Sequence, residues 1–459
     1  MSVSFWLEDA NDGLSPRAPV DGSASVDVAI VGAGFSGLWT AREILRRDPS
    51  RSVAIIEREV AGFGASGRNG AWATAALGTS AAELARRYSP ATARMTIEAM
   101  RATIDELITA CEEDGIDAGV QRTTVLRIAR GAQEAPYLEH ALAGYGELGL
   151  GDGIEVLDAP ALAERVRVAD ARGALADHHA AVVHPGRLVR GLARAVEAAG
   201  ATVYEGTPAL EVRPGGGGRR PEVVTPWGTL TADAVVLATE AWLSQLPGYR
   251  RRVMPVYSLI VLTEPIDDDR WAEIGWQGRE LLSSHRYTVD YLSRTEDGRV
   301  LFGGRGAPYH FGSRIAPAQD RHDATHADLR NQLQRWFPPL AGVGFSHAWG
   351  GPLGLPRDWL PSITFDPTTG VGAAYGYTGQ GVATTNLAGR ILADLVVTGD
   401  TPYRDLPMVG HTPRRWEPEP LRYLGARYMQ RSLGRLDARS ARRGQPPSGR
   451  SLAERLIRH

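Results

Sequence analysis

The 459-residue sequence predicts an α/β chain in which a parallel βαβ sheet is interleaved with an antiparallel one. Three observations predict it. "VDVAIV" at 26–31 is a valine-rich run that feeds directly into "GAGFSG", and "LWTAREILRR" follows with helical periodicity. That is the strand–turn–helix opening of a nucleotide-binding unit. A second apolar run, "SVAIIER", ends in Glu57 at the distance beyond Gly37 that such a unit requires. Farther on, Asp297-Gly298 joins "YTVDYLSRT" to "RVLFGGR" as a tight hairpin, so 251 to about 340 reads as antiparallel.

The opening unit has the residues its chemistry needs. Gly32, Gly34 and Gly37 stand at G-x-G-x-x-G spacing, with Phe35 and Ser36 starting the helix. Gly32 permits the tight turn, Gly34 lets backbone approach a pyrophosphate, and Gly37 lets the helix pack closely on the strand. The helix N-terminus offers unpaired N–H groups to phosphate oxygens. Glu57, beside Arg58, can accept hydrogen bonds from an adenosine ribose, and its charge disfavours a 2′-phosphate there. These residues call for an adenine dinucleotide and do not separate FAD from NAD.

Along the rest of the chain, 80–114 is helical with a break at Ser89-Pro90, and 122–130 reads as a strand. A helix is expected after Pro185 and a strand from 201, with "RPGGGGRRP" as a loop tip and "TADAVVLATEAW" as a buried strand. Residues 414–459 hold twelve arginines against four acidic residues. Leu421, Leu424, Tyr428 and Leu436 fall near one face of a helix expected there to pack on the body, with its basic face in solvent.

Composition narrows the functions. A formal charge of −2 argues against nucleic acid as the main partner. Cys111 is the only cysteine, which excludes an intramolecular disulfide and a Cys-based zinc site. No apolar run reaches the length of a membrane span and no secretory signal is visible, so a cytoplasmic location is expected. The sequence has no lysine, which removes Lys Schiff-base chemistry and the P-loop. His178, His179 and His184 lack a carboxylate or thiol at metal-ligand spacing, so structural roles are expected and no metal site.

"GFGASGRNGAWA" at 62–73 resembles the second signature of the D-amino-acid-oxidase-like family of FAD-dependent oxidases, whose loop reads G-A-S-G-R-N-G-G. The resemblance is nearest the branch with gamma-glutamylputrescine oxidase and bacterial amine oxidases. It continues through "RRVMPVYSLIVLTEPI", "YLSRTEDGRVLFGGRG", "WGGPLGLPRDWLPSI" and "YGYTGQGVATTNLAGRILADLV". Ala71 stands where the family usually has glycine, and Gln380 where it has histidine. The resemblance implies a Rossmann-like FAD-binding domain from 22–80, 150–250 and 345–410. It implies an α+β, antiparallel-sheet substrate domain from 81–149 and 251–344, with 411–459 as an Arg-rich tail.

It also implies a non-covalent FAD, because Cys111 lies away from the flavin motifs. Gly64, Ala65, Ser66, Gly67, Arg68, Asn69, Gly70 and Ala71 are the implied flavin loop. Val212, Ala238, Thr239, Gly350, Gly379, Gln380, Gly381, Val382 and Ala383 are the remaining implied contacts. Tyr257, Tyr291 and Trp349 are candidate aromatic walls for a substrate amine, and Arg305 a candidate partner for a substrate carboxylate. The implied reaction is oxidation of an amine or amino acid with O2 as acceptor. A dehydrogenase or desaturase with another acceptor, or a non-catalytic FAD-binding subunit, are the alternatives.

Overall fold

Ala24–Val31 lies at the centre of an eight-stranded sheet, and its apolar residues are covered on both faces as a parallel strand requires. The computed structural model describes residues 3–10, 15–304 and 309–457. From the central strand the chain builds outward on one side with Val53–Ile56 and Thr202–Tyr204, all parallel. It then returns to the other side with Gly228–Leu237 and Val371–Tyr375, also parallel. Three antiparallel strands, Ser362–Asp366, Glu222–Thr225 and Glu211–Arg213, complete the sheet. The growth direction reverses between Ala24–Val31 and Gly228–Leu237. The carboxyl ends of these two strands are therefore the switch point where such sheets bind ligands.

The helix Phe35–Arg47 packs across the helix Gly381–Val397 on one face of this sheet. A Cβ on Gly389 would fall 2.6 Å from the Cβ of Trp39, so the two backbones touch where only glycine fits. Arg47 then ties the pair together through Asp394 at 2.7 Å.

A nine-stranded sheet forms the second layer, in the order Phe345–Leu355, Met254–Thr263, Val300–Gly304, Asp290–Arg294, Leu281–Ser284, Gln121–Arg130, Ala171–Val182 and Trp72–Thr74, with Ile154–Asp158 beside Ala171–Val182. The hairpin at Asp297-Gly298 is present, pairing Asp290–Arg294 with Val300–Gly304. The segment is not wholly antiparallel: Leu281–Ser284 runs parallel to Gln121–Arg130. Trp72–Thr74, Ile154–Asp158, Ala171–Val182 and Phe345–Leu355 all hydrogen-bond in this second sheet, although they fall inside segments expected to belong to the nucleotide domain. Strand pairing is a long-range choice, and a short apolar run alone does not say which sheet it joins.

The tail forms the helix Leu421–Arg443, but not with the expected face inward. Leu421 and Leu424 are exposed, whereas Arg422 and Asp437 are buried and hydrogen-bond to the body. No helix among the described residues is long and apolar enough to cross a membrane.

Because the crossing at Gly389 has no room for a side chain, Gly389→Val will destabilise the protein by about 2 kcal/mol. Urea or thermal unfolding of the purified variant checks this.

Candidate functional site

The first cavity opens at the switch point. Val31 and Leu237 end their strands side by side, with the Ala238 amide donating to the Val31 carbonyl at 2.9 Å. Gly32 turns the chain at φ +109, and a Cβ there would lie 2.6 Å from the Ala238 carbonyl oxygen. Gly34 caps the helix Phe35–Arg47 and has no side chain to cap the first-turn amides, of which the Phe35 amide is taken by Ser66. Gly32, Gly34, Phe35 and Ser36 line the cavity. Gly37 does not: it lies beneath, where a Cβ would meet the Gly32 carbonyl oxygen at 2.0 Å.

Glu57 and Arg58 form another wall. Glu57 accepts the Ala33 amide on one oxygen and the Glu59 amide on the other, both at 3.0 Å, which leaves lone pairs for a further donor. Burial raises its pKa. Ala238 and Thr239 close the far side, and the buried Thr239 hydroxyl has no partner among the described residues.

The loop 64–71 passes from this cavity to a second one. Gly64 and Ser66 line the first cavity, Arg68 and Gly70 line the second, and Ala65 and Asn69 line both. Ser66 Oγ accepts the Phe35 amide at 2.8 Å, joining the two glycine-rich segments. The Arg68 guanidinium, 4% exposed, donates to the Phe63 carbonyl at 2.7 Å, to the Gly350 carbonyl at 2.9 Å and to Asp320 at 2.5 Å. It therefore fixes the loop in place. Gly67 and Ala71 are packed beneath the loop. Ala71 sits at φ +69, which explains why a glycine is the usual residue there.

At the carboxyl-terminal side, Gly379, Gly381 and Val382 line the first cavity, and Gly379, Gln380 and Val382 the second. Gln380 accepts from the Thr74 hydroxyl at 3.1 Å. Ala383 is buried behind them and touches neither cavity. Val212 also misses the cavity, lying within Glu211–Arg213, and Thr207 and Ala209 take that part of the wall. Gly350 holds Arg68 through its carbonyl, and Gly351 is the residue that faces the second cavity.

The aromatic candidates divide. Tyr291 lines the second cavity, its hydroxyl 3.0 Å from Ser258 Oγ. Trp72 joins it edge-on at 6.3 Å. Tyr257 does not reach the cavity. Strand alternation turns Ser258 and Ile260 toward it, and sends Tyr257 into the opposite core, where its hydroxyl donates to Gln319. Trp349 is also a buried brace, donating its indole N–H to the Arg68 carbonyl at 3.0 Å. Arg305 lies outside the described residues.

Other groups had no motif to announce them. Arg127, His285, Arg286 and Tyr287 line the second cavity. His285 stacks on Tyr137 at 5.5 Å, and its Nε2 has no partner among the described residues. Burial and then the nearby Arg127 charge push its pKa down to about 4, so the ring is neutral above that pH. Glu240 lines the first cavity at φ +47 and accepts the Gly354 and Gly376 amides at 3.0 and 2.7 Å. Burial pushes its pKa up to about 7. His184 caps the helix Pro185–Ala198 by accepting the Arg187 amide at 3.0 Å. No cluster of potential metal ligands occurs among the described residues.

A first cavity at a glycine-capped helix N-terminus, with an available carboxylate and a hydroxyl unpartnered among the described residues, fits an adenine dinucleotide. Residues 27–395 match the family model described as FAD dependent oxidoreductase. The chain belongs to that family. This FAD-dependent oxidoreductase is 31% identical over 411 residues to the probable oxidoreductase OrdL of Rhizobium meliloti (strain 1021), covering 86% of this chain and 91% of that one. It is 29% identical over 403 residues to the gamma-glutamylputrescine oxidoreductase of Escherichia coli (strain K12), covering 86% and 88%. The solved glycine oxidase from Geobacillus kaustophilus has the same fold, with a TM-score of 0.70 over 84% of this chain and 99% of that one, at 24% identity. FAD is thus the cofactor of this oxidoreductase. Neither cysteine nor histidine lines the first cavity, and Cys111 is buried in the helix Pro90–Glu113, which agrees with non-covalent binding.

The Glu240 carboxyl gives a pH signature. Its folded pKa of about 7 lies above its ordinary 4.5, so its contribution is fully present below the lower value and is lost as pH rises through the upper. Glu240→Gln will abolish up to about 3 kcal/mol of that loss. Thermal melts of both proteins from acid to neutral pH measure the difference. Arg68→Gln, which leaves Asp320 without its cation, will purify with much less bound FAD, read from the visible absorbance.

Proposed function

We propose that the enzyme oxidises a C–N bond of an amine or amino acid, with FAD in the first cavity and substrate in the second. One observation carries this reading: the two cavities share Ala65, Asn69, Leu353, Gly379 and Val382, so a dinucleotide lying along the first ends against the second. Held there by Gly32, Gly34 and Glu57, FAD would supply a two-electron acceptor for hydride from the carbon beside a neutral amine; the imine would hydrolyse in water, and O2 would take the electrons as H2O2.

The chain's own residues prepare the substrate. Tyr291 and Trp72 form walls that strip water from the amine and so favour its neutral form. Neutral His285 adds no positive charge to oppose binding and offers an unpaired ring nitrogen. Arg127 and Arg286 stand at the same cavity as partners for a carboxylate, the role expected of Arg305. Both suit an amino acid or an acid-bearing amine.

The absence of lysine supports a second reading, a dehydrogenase using another acceptor. A cation that assists O2 would have to be an arginine or a positively charged substrate.

The visible spectrum of the holoenzyme, recorded anaerobically with a panel of amines and amino acids, tests the proposal. Bleaching by one class is expected, followed by return of colour and peroxide when air is admitted. Bleaching without peroxide selects the dehydrogenase. A flavin that no amine or amino acid bleaches overturns the proposal.

A further inference from the structure

Beyond the second cavity lies a third, open on one side, between the sheet and the helix Leu421–Arg443. Met254, Val256 and Leu355 supply its floor, and Ala426, Met429 and Leu433 its roof. The roof helix follows the residues that match the family model. It is pinned to the substrate pocket by Asp437, which accepts the Tyr287 amide at 3.0 Å and the Thr288 amide at 2.8 Å. Tyr287 thereby becomes a fixed wall, and it lines both cavities. Trp359 does the same from the opposite side. Trp359 holds φ +64, a left-handed conformation that a bulky residue adopts at a cost of about 1–3 kcal/mol. Strain of that kind gathers at ligand clamps, and here it places an indole between two cavities.

The chemistry of the third cavity is apolar. The charged groups at its edge are consumed by one another: Arg422 pairs with Glu419 at 3.1 Å, and Arg357 with Glu417 at 3.1 Å. The Trp416 indole donates to the Leu355 carbonyl at 2.7 Å, and the Tyr309 hydroxyl to Glu419. What remains for an occupant is hydrocarbon and aromatic surface.

We propose that this chamber takes the apolar tail of the substrate whose amino group lies beside Tyr291, so that the carboxyl-terminal helix selects long-chain or aromatic amines and amino acids. The inference rests on the amine reading above. Continuity decides the occupant: the chamber meets the substrate pocket across Tyr287 and Trp359, and an apolar chain passing between them leaves no buried charge unpaired.

Gly425 gives a means of plugging the chamber, because it lines the cavity and a Cβ there has nothing within 4 Å. The test titrates holoenzyme with propylamine and decylamine, and with alanine and norleucine. Binding is read from tryptophan fluorescence, since Trp359 and Trp416 line the chamber, and reduction from anaerobic bleaching. Each buried methylene strengthens binding about fourfold, so the longer member of a pair will bind at least about tenfold more tightly. Gly425→Phe will erase that preference and leave the shorter member's affinity unchanged. Met429→Trp, plugging from the next turn, will do the same and covers a folding failure of the first variant. Equal affinity for long and short members, or a preference that survives both plugs, overturns the chamber proposal while leaving the amine reading intact. Failure of all four compounds to bind or bleach the wild type brings down both.

Discussion

The Arg68 guanidinium is the constraint on which the site depends. It is buried between two sheets, and three acceptors from separate parts of the chain hold it: the Phe63 carbonyl, the Gly350 carbonyl and Asp320. Its own carbonyl receives the Trp349 indole, and its charge lies 4.6 Å over the Phe63 ring. A buried guanidinium is tolerated only when its donors are met, and its planar fork meets them in fixed directions. The glycine-rich loop is thus bolted to the nine-stranded sheet at Gly350, while Ser66 fastens it to the first residue of the helix Phe35–Arg47. Two cavities that would otherwise belong to different layers share one wall.

Close approach is the second theme, and it explains the composition of the loop. The residues from 64 to 71 are small because they pass between neighbours that leave little space. A Cβ on Gly67 would meet the Gly62 carbonyl oxygen at 2.4 Å, and one on Gly70 the Tyr291 ring at 2.6 Å. The latter contact joins the loop directly to the Tyr291 wall of the second cavity, with no intervening side chain. The loop's own hydrogen bonds then fix its path. Asn69 accepts the Ala71 amide at 2.9 Å and donates to the Ser66 carbonyl at 2.8 Å, while Ser293 holds the Gly70 carbonyl at 3.0 Å. Ala71 in a left-handed conformation is tolerable because this network and its burial over-determine it.

The first cavity was largely legible in the sequence, because its parts are local. A strand, three spaced glycines, a helix and an acid occur in the order in which they fold, so Gly32 to Glu57 could be placed from spacing alone. The second cavity was legible only in part. Tyr257 and Trp349 belong to the recognised motifs, but one residue of register decides whether a strand side chain meets a cavity or the core. Ser258 and Ile260 took the places expected of Tyr257. Arg127, His285 and Arg286 carry no pattern, since they come from a strand and a loop more than a hundred residues apart. Their signal existed only as unassigned charge. Glu240 was hidden for another reason: a glutamate with positive φ is rare enough that no sequence rule points to it.

The sequence by itself determined the βαβ opening, the dinucleotide glycines, the hairpin at Asp297-Gly298 and the resemblance that implied FAD. These depend on contacts between near neighbours, on steric room at particular glycines and on turn chemistry, all written within a few dozen residues. Only the tertiary structure decided which sheet Trp72–Thr74, Ile154–Asp158, Ala171–Val182 and Phe345–Leu355 would join, which aromatic rings line the second cavity, and that the arginine-rich tail buries Arg422 and Asp437 rather than Leu421 and Leu424. Each of those outcomes turns on pairing between distant segments. A buried ion or hydrogen bond finds its partner only after both have been brought together, and no local pattern records the meeting.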